Sequence, residues 1–385
     1  MKIKFNRQEI SSKIAPLMSV VSGKSTLTAT EGILIEANSA DSCTLTAFDL
    51  EKGMKITVEA EVLEQGSYII NAQKFNQTLK VMDGEYITLT VDSKLCATFE
   101  CGISTHKTGS LRAEEFPEMP NLKTEKGFVV SQGVLKRMLS KVSYAMGIND
   151  NTRPMLNGCF VKTEEGKITV VACDSFKLAV CTCPAALSRI EGSEKGVEYS
   201  FIVPAKSVNE IIKLLSDDEE ETVTVYMSYK NMVLAFDGEL IFFTKLITGE
   251  YIDYNRIIIR SHKIEISMEK DELIAALEKA SLITEERIER SVRSHVRLVA
   301  ENNILKVSAV SSAGSIYDEV ATQQTGDGIS IAFNNRFLLD SVRACSYDRI
   351  KISMTSAFSS INIEPQEPAE GESELFMLLP VRTKD

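Results

Sequence analysis

Two patterns of apolar and polar residues recur three times along the chain. In the first, a short alternating strand leads into a segment whose apolar residues have the spacing of an amphipathic helix, as at Leu135, Met138 and Val142. The predicted strands are 3–5, 128–130 and 264–266, and the helices that follow them are about 7–21, 131–146 and 269–283. This repetition predicts that the chain consists of three similar parts.

The second pattern is a short apolar strand, a cation, an amphipathic helix, polar turn residues and another alternating strand. The cations are Lys74, Lys206 and Arg336, which are 132 and 130 residues apart, and the closing strands are 87–91, 223–227 and 350–354. Each repeat therefore contains two helices and several strands. This order predicts an α+β fold, with the helices packed on antiparallel sheets.

The two patterns define three tandem domains. The pattern lapses around 118–126 and 254–262, and we predict domain limits of 1–122, 127–253 and 260–385. An acidic, proline-containing stretch at 364–374 is predicted to be an exposed loop before a last strand at 375–381.

The charge is unevenly distributed. The chain has 43 Lys+Arg and 54 Asp+Glu, and its net charge of −11 by itself argues against a nucleic-acid partner. However, the six predicted helices together carry +6, so the rest of the chain carries −17. A basic helical face on an otherwise acidic protein would attract phosphate to one surface only, although solvated helix faces would give the same count. Because no base-reading motif is present, any DNA contact is expected to be with the backbone.

No catalytic residue, metal site or cofactor is predicted. The eight cysteines lie mostly among apolar residues without a Cys-x-x-Cys pair, so we expect reduced core thiols, and the three histidines do not form a zinc pattern. Residues 22–26 resemble the end of a phosphate-binding loop, but Met18 replaces a glycine that the motif requires. The apolar runs are shorter than a bilayer span, and the start lacks an apolar signal core, which predicts a cytoplasmic protein without membrane contact.

Five stretches suggest a family. They are Leu-Thr-Ala-Phe-Asp-Leu-Glu at 45–51, Phe-Pro at 116–117, Leu-Asn-Gly at 156–158, Ala-Cys-Asp-Ser-Phe-Lys-Leu-Ala at 172–179 and Leu-Pro-Val-Arg at 379–382. In this order the chain resembles, over its whole length, the bacterial DNA polymerase III beta subunit, or sliding clamp. The resemblance implies a homodimer closed head to tail into a six-domain ring around double-stranded DNA. It also implies a processivity factor of the replicative polymerase that has no catalytic activity of its own.

The resemblance also implies residues for DNA contact and for the dimer joint. The candidate DNA-facing cations are Lys24, Lys74, Lys136, Arg137, Lys141, Arg153 and Lys206. At the joint, His106 of one copy would face Leu282 and Ile283 of the other.

The third implied site is a hydrophobic groove for short peptides of the polymerase subunit, the clamp loader and other proteins with a clamp-binding motif. From the central domain it would contain Leu156, Cys173, Ser175, Phe176, Lys177 and Leu178, and from the third Phe337, Phe358, Ser360, Met377, Leu379, Pro380, Val381 and Arg382. Apolar anchors with a few polar groups suit an extended peptide. Ser175, Phe176 and Lys177 stand where many relatives have Gly, His and Arg.

Two other functions are compatible with the pattern. A three-repeat interaction scaffold would share the fold without encircling DNA. An enzyme site assembled from distant residues would leave no local motif.

Overall fold

The computed structural model describes residues 1–23, 25–120, 126–164, 166–190, 198–228, 230–284, 295–312 and 314–382. The helices are α1 (Arg7–Leu17), α2 (Ala72–Val81), α3 (Gln132–Ser143), α4 (Ala205–Leu214), α5 (Lys270–Thr284) and α6 (Asn335–Ala344). The strands are β1 (Lys2–Asn6), β2 (Gly32–Ala37), β3 (Ser42–Phe48), β4 (Lys52–Glu59), β5 (Glu61–Glu64), β6 (Gly66–Asn71), β7 (Tyr86–Val91), β8 (Cys96–Cys101), β9 (Ser104–Arg112), β10 (Gly127–Ser131), β11 (Gly158–Glu164), β12 (Lys167–Cys173), β13 (Lys177–Pro184), β14 (Ser188–Arg189), β15 (Tyr199–Pro204), β16 (Thr222–Met227), β17 (Asn231–Phe236), β18 (Leu240–Lys245), β19 (Ile264–Glu269), β20 (Val296–Glu301), β21 (Ile304–Ser311), β22 (Gly314–Ala321), β23 (Gln323–Thr325), β24 (Ile329–Phe333), β25 (Arg349–Met354), β26 (Ile361–Pro365) and β27 (Ser373–Leu378).

Three of the helices begin at an asparagine that follows a strand. The side chains of Asn6, Asn71 and Asn334 accept hydrogen bonds from backbone amides in the first turns of α1, α2 and α6. Each bond satisfies an amide that has no partner within the helix. The change from strand to helix is therefore encoded locally, and Asn71 and Asn334 occupy equivalent places in the first and third repeats.

One compact unit comprises residues 1–132, 188–195 and 213–246 and contains an antiparallel sheet of fourteen strands. The strand order is β14-β10-β16-β17-β18-β4-β3-β2-β6-β9-β8-β7-β1-β5. Strand β18 pairs with β4, with Phe243 opposite Gly53, which joins strands of the first and central repeats. Helices α1 and α2 bury their apolar faces, with Ile10, Ile14, Phe75 and Leu79 in the core.

The other compact unit comprises residues 133–187, 196–212 and 247–385 and contains two sheets. The larger sheet has the order β15-β11-β12-β13-β27-β26-β25-β19-β23, and the smaller has the order β22-β21-β20-β24. Strand β13 pairs with β27, with Leu178 opposite Met377, which joins strands of the central and third repeats. Helices α5 and α6 pack against each other, α5 also covers β21 and β22, and α6 contacts β27.

The predicted fold class is confirmed, and all six predicted helices are present. Two of them end earlier than the apolar pattern predicts. Helix α1 ends at Leu17, where the amides of Ser19 and Val20 bond back three residues instead of four. Pro16 weakens its last turn because it lacks an amide hydrogen. Helix α3 ends at Ser143, where the following amides also bond back three residues.

The prediction of an exposed loop at 364–374 is wrong at both ends. Glu364 lies in β26, and Glu374 lies in β27, where its side chain is buried. Carboxylates are seldom buried without a partner. Glu374 is buried because it forms an ion pair with a lysine, which is described below. In the part of the chain that the structure describes, no helix is long and apolar enough to cross a membrane.

Candidate functional site

The pairing of β13 with β27 builds an apolar floor. Leu156, Cys173, Leu178 and Met377 are buried in one cluster with Val171. Leu178 and Met377 face each other across the strand pair, while Cys173 ends the neighbouring strand β12. Four residues that the sequence assigned to a peptide groove from two different domains therefore lie together.

The turn between β12 and β13 forms one side of this floor. The carboxylate of Asp174 accepts hydrogen bonds from the amides of Phe176 and Lys177, at 2.6 and 2.7 Å. The carbonyl of Phe176 accepts a bond from the amide of Leu379, at 2.9 Å. This bond attaches the turn to the chain segment that follows β27, so that Phe176 and Leu379 are neighbours.

Lys177 is buried beneath the turn. Its ammonium group lies 3.3 Å from a carboxylate oxygen of Asp174, 4.2 Å from the ring centroid of Phe337 and 5.7 Å from that of Tyr144. The ring of Phe337 also lies 6.1 Å from the ring of Phe176. The ammonium group is attracted to the faces of aromatic rings. Lys177 therefore helps to fix the ring of Phe337, which in turn contacts Phe176 beside the floor.

The rim of the groove is apolar and open to solvent. The side chains of Phe176, Phe358 and Leu379 are 56%, 73% and 41% exposed. Phe176 and Leu379 adjoin the ends of the two strands that form the floor, and exposed apolar groups of this size are typical of a binding surface. The remaining predicted residues follow the same chain segments: Ser360 is buried before β26, Pro380 and Val381 are half-buried after β27, and Arg382 is exposed.

Arg153, which the sequence analysis listed among the DNA-facing cations, contacts the turn between β12 and β13. Its guanidinium donates to Ser175 Oγ at 2.6 Å and to Asp150 Oδ2 at 3.0 Å. Hydrogen bonds from the Thr152 side chain and the Arg153 amide lower the pKa of Asp150 from 3.8 to about 2. Asp150 is thus ionised at neutral pH and orients Arg153 toward Ser175.

The three candidate cations of α3 have different environments. Lys136 is half-buried on the helix surface. Arg137 lies 3.3 Å from Glu372, and Lys141 is buried in an ion pair with Glu374. A buried ammonium that is already paired is not available to a phosphate, so the prediction that Lys141 faces DNA is wrong.

The other predicted cations and the joint residues lie on separate elements. Lys74 on α2 and Lys206 on α4 are exposed, while Lys24 lies outside the described residues. His106 is exposed on β9, where its Nδ1 lies 2.8 Å from Thr78 Oγ1 and its ring stacks on Phe99. Leu282, near the end of α5, is exposed and Ile283 is half-buried.

Seven of the eight cysteines are buried, Cys96 is half-buried, and all eight are free thiols. Burial raises the pKa of the Cys173 thiol in the groove floor to about 12, so it is not a nucleophile at neutral pH. Among the residues described here, no group of three or more His, Cys, Asp or Glu side chains is arranged to hold a metal ion.

Three protein domain families match the chain in tandem. They are the N-terminal, central and C-terminal domains of the DNA polymerase III beta subunit, at residues 1–120, 129–253 and 255–378. The chain belongs to the DNA polymerase III beta subunit family. Its function is therefore that of a DNA polymerase sliding clamp, and the resemblance seen in the sequence is confirmed.

Individual relatives agree with this assignment over their full lengths. The chain is 26% identical to the beta sliding clamp of Chlamydia muridarum, with all of both chains covered. It resembles the solved structure of the DNA polymerase III beta subunit from Thermotoga maritima, with 25% identity and a TM-score of 0.84. It also shares the fold of the DNA polymerase sliding clamp of Bacillus subtilis, with 23% identity and a TM-score of 0.89. Both structures are covered completely.

One part of the clamp groove was missed by the sequence analysis. Tyr251, Ile252, Tyr254 and Ile258, which connect the central and third domains, pack against the buried floor. The ring of Tyr251 stacks on Phe160 at 5.1 Å. The signal was present as the apolar run at 251–259, but the sequence analysis treated this stretch as too short for a membrane span and as part of the boundary between two domains.

Proposed function

We propose that this chain forms a head-to-tail homodimeric ring around duplex DNA and tethers the replicative polymerase to it. The observation that supports the proposal most directly is the tandem match of three clamp domains, which together cover nearly the whole chain. In this function the protein contributes no catalytic group and raises processivity by preventing dissociation. Its place of work would be the cytoplasm, together with the chromosome.

We propose that DNA contact is weak and made through scattered cations. Lys74, Lys136 and Lys206, at the surface of three different helices, are the main candidates, with Lys24, Arg137 and Arg153 as further ones. A topological ring does not need strong phosphate contacts, and a dense basic cluster would slow its movement along DNA. The removal of Lys141 from this set lowers the charge expected on the DNA-facing surface by one.

We propose that the dimer joint pairs two unpaired strand edges. In the described residues, β22 is an edge strand bonded only to β21, and the first half of β9 is bonded only to β8. Exposed apolar side chains accompany each edge: Val81 and Ile103 on the side of β9, where His106 is also exposed, and Leu282 and Tyr317 on the side of β22. Open edges invite pairing with another chain. Joining β9 of one copy to β22 of the next would repeat around a ring with two such joints.

We propose that the groove receives extended peptides of the polymerase subunit, the clamp loader and other proteins with a clamp-binding motif. The buried floor would accept apolar peptide side chains, and Phe176, Phe358 and Leu379 would be covered on binding. Arg153 and Ser175 at the mouth would supply polar contacts that orient the peptide.

Retention on DNA tests this function. The mass in solution should be that of a dimer, and the loaded protein should stay on nicked circular DNA and be lost when the circle is cut. A monomer, or a protein that is not retained on the circle, would favour the scaffold alternative. Changing Lys74, Lys136 and Lys206 together to Ala should reduce loading or alter diffusion on DNA, and unchanged values for both would contradict their assignment.

A further inference from the structure

We propose that the buried ion pair between Lys141 and Glu374 positions β27 and thereby sets the shape of the peptide groove. The proposal rests on the function proposed for that groove. It gives a role to two charged residues that neither the DNA surface nor the peptide contacts require.

Both charges of the pair lie in the interior. The side chain of Lys141 is 8% exposed and that of Glu374 is 2% exposed. The second carboxylate oxygen of Glu374 accepts a hydrogen bond from the amide of Ser346 at 2.9 Å. Since both oxygens have partners, the carboxylate is held from α3 on one side and from the segment after α6 on the other.

A second ion pair also joins α3 to the chain next to Glu374. Arg137 lies 3.3 Å from Glu372, and the hydroxyl of Tyr347 donates to the other oxygen of Glu372 at 2.7 Å. Arg137 and Lys141 are four residues apart on α3 and therefore on one face, about 6 Å apart along the axis. Glu372 and Glu374 are two residues apart in extended chain, which spans about 6.6 Å. The spacing of the two cations thus matches the spacing of the two carboxylates.

This match ties the register of β27 to α3. Glu374 lies opposite Cys181 in the β13–β27 pair. A shift of β27 by one residue would turn Glu374 to the other face of the sheet. A shift by two would either move Glu374 into the fully buried place of Phe376 or put Phe376 in the place of Glu374, opposite Lys141. Either shift would leave a buried charge without its partner, which costs far more than breaking an exposed pair.

The consequence for the groove follows from chain position. Met377, in the floor, is three residues after Glu374, and Leu379, on the rim, is five residues after it. The contacts that hold Glu374 in place therefore also restrict the positions of Met377 and Leu379, which follow it on the same strand and the segment after it. A pair that merely added stability would have no such connection to peptide binding.

Replacing both charges by apolar groups separates these two roles. Removing one partner, in Lys141→Met or Glu374→Gln, should lower the Tm by several degrees and weaken peptide binding. In the double variant K141M/E374L, two apolar side chains fill the space, and apolar replacement of a buried pair commonly restores stability. If the pair positions β27, the Tm recovers in the double variant while peptide affinity does not.

The experiment uses the full-length dimer and a fluorescent peptide with a Gln-x-x-Leu-Phe-like core. We expect single variants to bind it roughly tenfold more weakly, since the unpaired charge displaces the wall, and the double variant to remain at least about fivefold weaker than wild type at a recovered Tm. Lys13→Met is the matched control, because Lys13 pairs with Glu239 at the surface of the other unit. Lys13→Met should change neither the Tm nor the peptide affinity.

Two results would overturn the proposal. One is a double variant that regains both Tm and affinity, and the other is unchanged affinity in the single variants. Hydrogen exchange of the Leu379 amide, which bonds to Phe176, gives a readout without peptide and should accelerate in the double variant. If wild type binds no peptide at all, the proposed groove function fails, while the exchange rate still decides whether the pair positions the wall.

Discussion

Two places in the molecule use the same backbone arrangement with different side chains. At the first junction, defined by the pairing of β4 with β18, the carboxylate of Asp49 accepts from the amides of Glu51 and Lys52. At the second junction, defined by the pairing of β13 with β27, Asp174 accepts from Phe176 and Lys177. The closing bonds also correspond, since Lys245 donates to the carbonyl of Glu51 and Leu379 to that of Phe176, both at 2.9 Å.

The side chains on this shared backbone differ in size between the two junctions. At the first junction, Phe48 and Phe243 occupy the positions of Cys173 and Met377, with their rings 6.0 Å apart. The connecting segment adds Phe116 and Met119 to the same cluster. A Cβ on Gly53, which takes the place of Leu178, would lie 3.1 Å from Cε of Met119. The first junction is therefore filled by the chain's own residues.

The difference between the junctions lies in their side chains and not in their backbone. The turn and the strand pairing occur twice, but the first junction buries two phenylalanine rings where the second buries Cys173 and Met377. The second junction also carries the exposed apolar side chains of Phe176 and Leu379 where the first has Glu51 and Lys245. A repeat protein can thus obtain one binding site from two similar junctions by substituting a few side chains.

The largest expected effect is a loss of stability when a buried ring is removed from the first junction. Phe243→Ala removes a fully buried ring from the first junction and should lower the free energy of unfolding by about 3–5 kcal/mol. Peptide affinity should stay within about twofold, because no peptide contact is lost there. Met377→Ala should weaken peptide binding as well as stability. Guanidinium unfolding at fixed protein concentration and a peptide titration measure both; equal losses of affinity in the two variants would show that the junctions are not independent.

A smaller effect is expected when the first junction receives the floor residue of the second. Gly53→Leu would place a side chain against Met119 and Phe48, and overpacking of this kind costs about 1–3 kcal/mol. Met119→Ala, added to Gly53→Leu, should recover part of the loss because it removes the nearest atom. The same unfolding measurement applies, and a Gly53→Leu variant as stable as wild type would contradict the view that this junction is closed.

Local sequence signals predicted the six helices correctly, because each helix follows from the spacing of its own apolar residues. The turn at 174–177 is contiguous in sequence, so its hydrogen bonds depend on short-range geometry. The candidate groove residues came from the family resemblance and not from these local signals. Their gathering into one buried cluster could not be predicted from the apolar pattern, because that pattern does not show which distant residues meet.

The errors concern charges whose partners are distant in sequence. Lys141 and Glu374 are 233 residues apart, and the sequence analysis placed the first on a DNA-facing helix and the second in an exposed acidic loop. The two errors have one cause, since the burial of each charge depends on a partner that the sequence pattern does not identify. The contact of Arg153 with Ser175, 22 residues away, was likewise not predicted.

Binding should respond to a rim residue with little change in stability. Phe176→Ala removes an exposed ring that lies tilted against Phe337, and we expect roughly tenfold weaker peptide binding, as for an aromatic anchor. The unfolding free energy should change by less than about 0.5 kcal/mol, because the side chain is more than half exposed. Glu51→Ala, at the corresponding position of the first junction, is the control and should change neither. If both variants bind peptide like wild type, the rim is not part of the contact.

The smallest expected effect is a change in the pKa of Asp150, in the polar mouth of the second junction. In this mouth Ser175 takes the place of Leu50 of the first junction. Asp150 has a pKa lowered from 3.8 to about 2, and the hydrogen bond from Thr152 is the largest cause. Because the folded-state pKa is the lower one, this interaction stabilises the folded protein above pH 4 and is lost as the pH falls through 2. Thr152→Val should therefore raise the pKa of Asp150, which a carboxyl NMR titration measures. A midpoint near 3.8 in both proteins would contradict the hydrogen bonds from Thr152 and the Arg153 amide that fix Asp150 beside Arg153 in the polar mouth, a network that has no counterpart at the exposed Leu50 of the first junction.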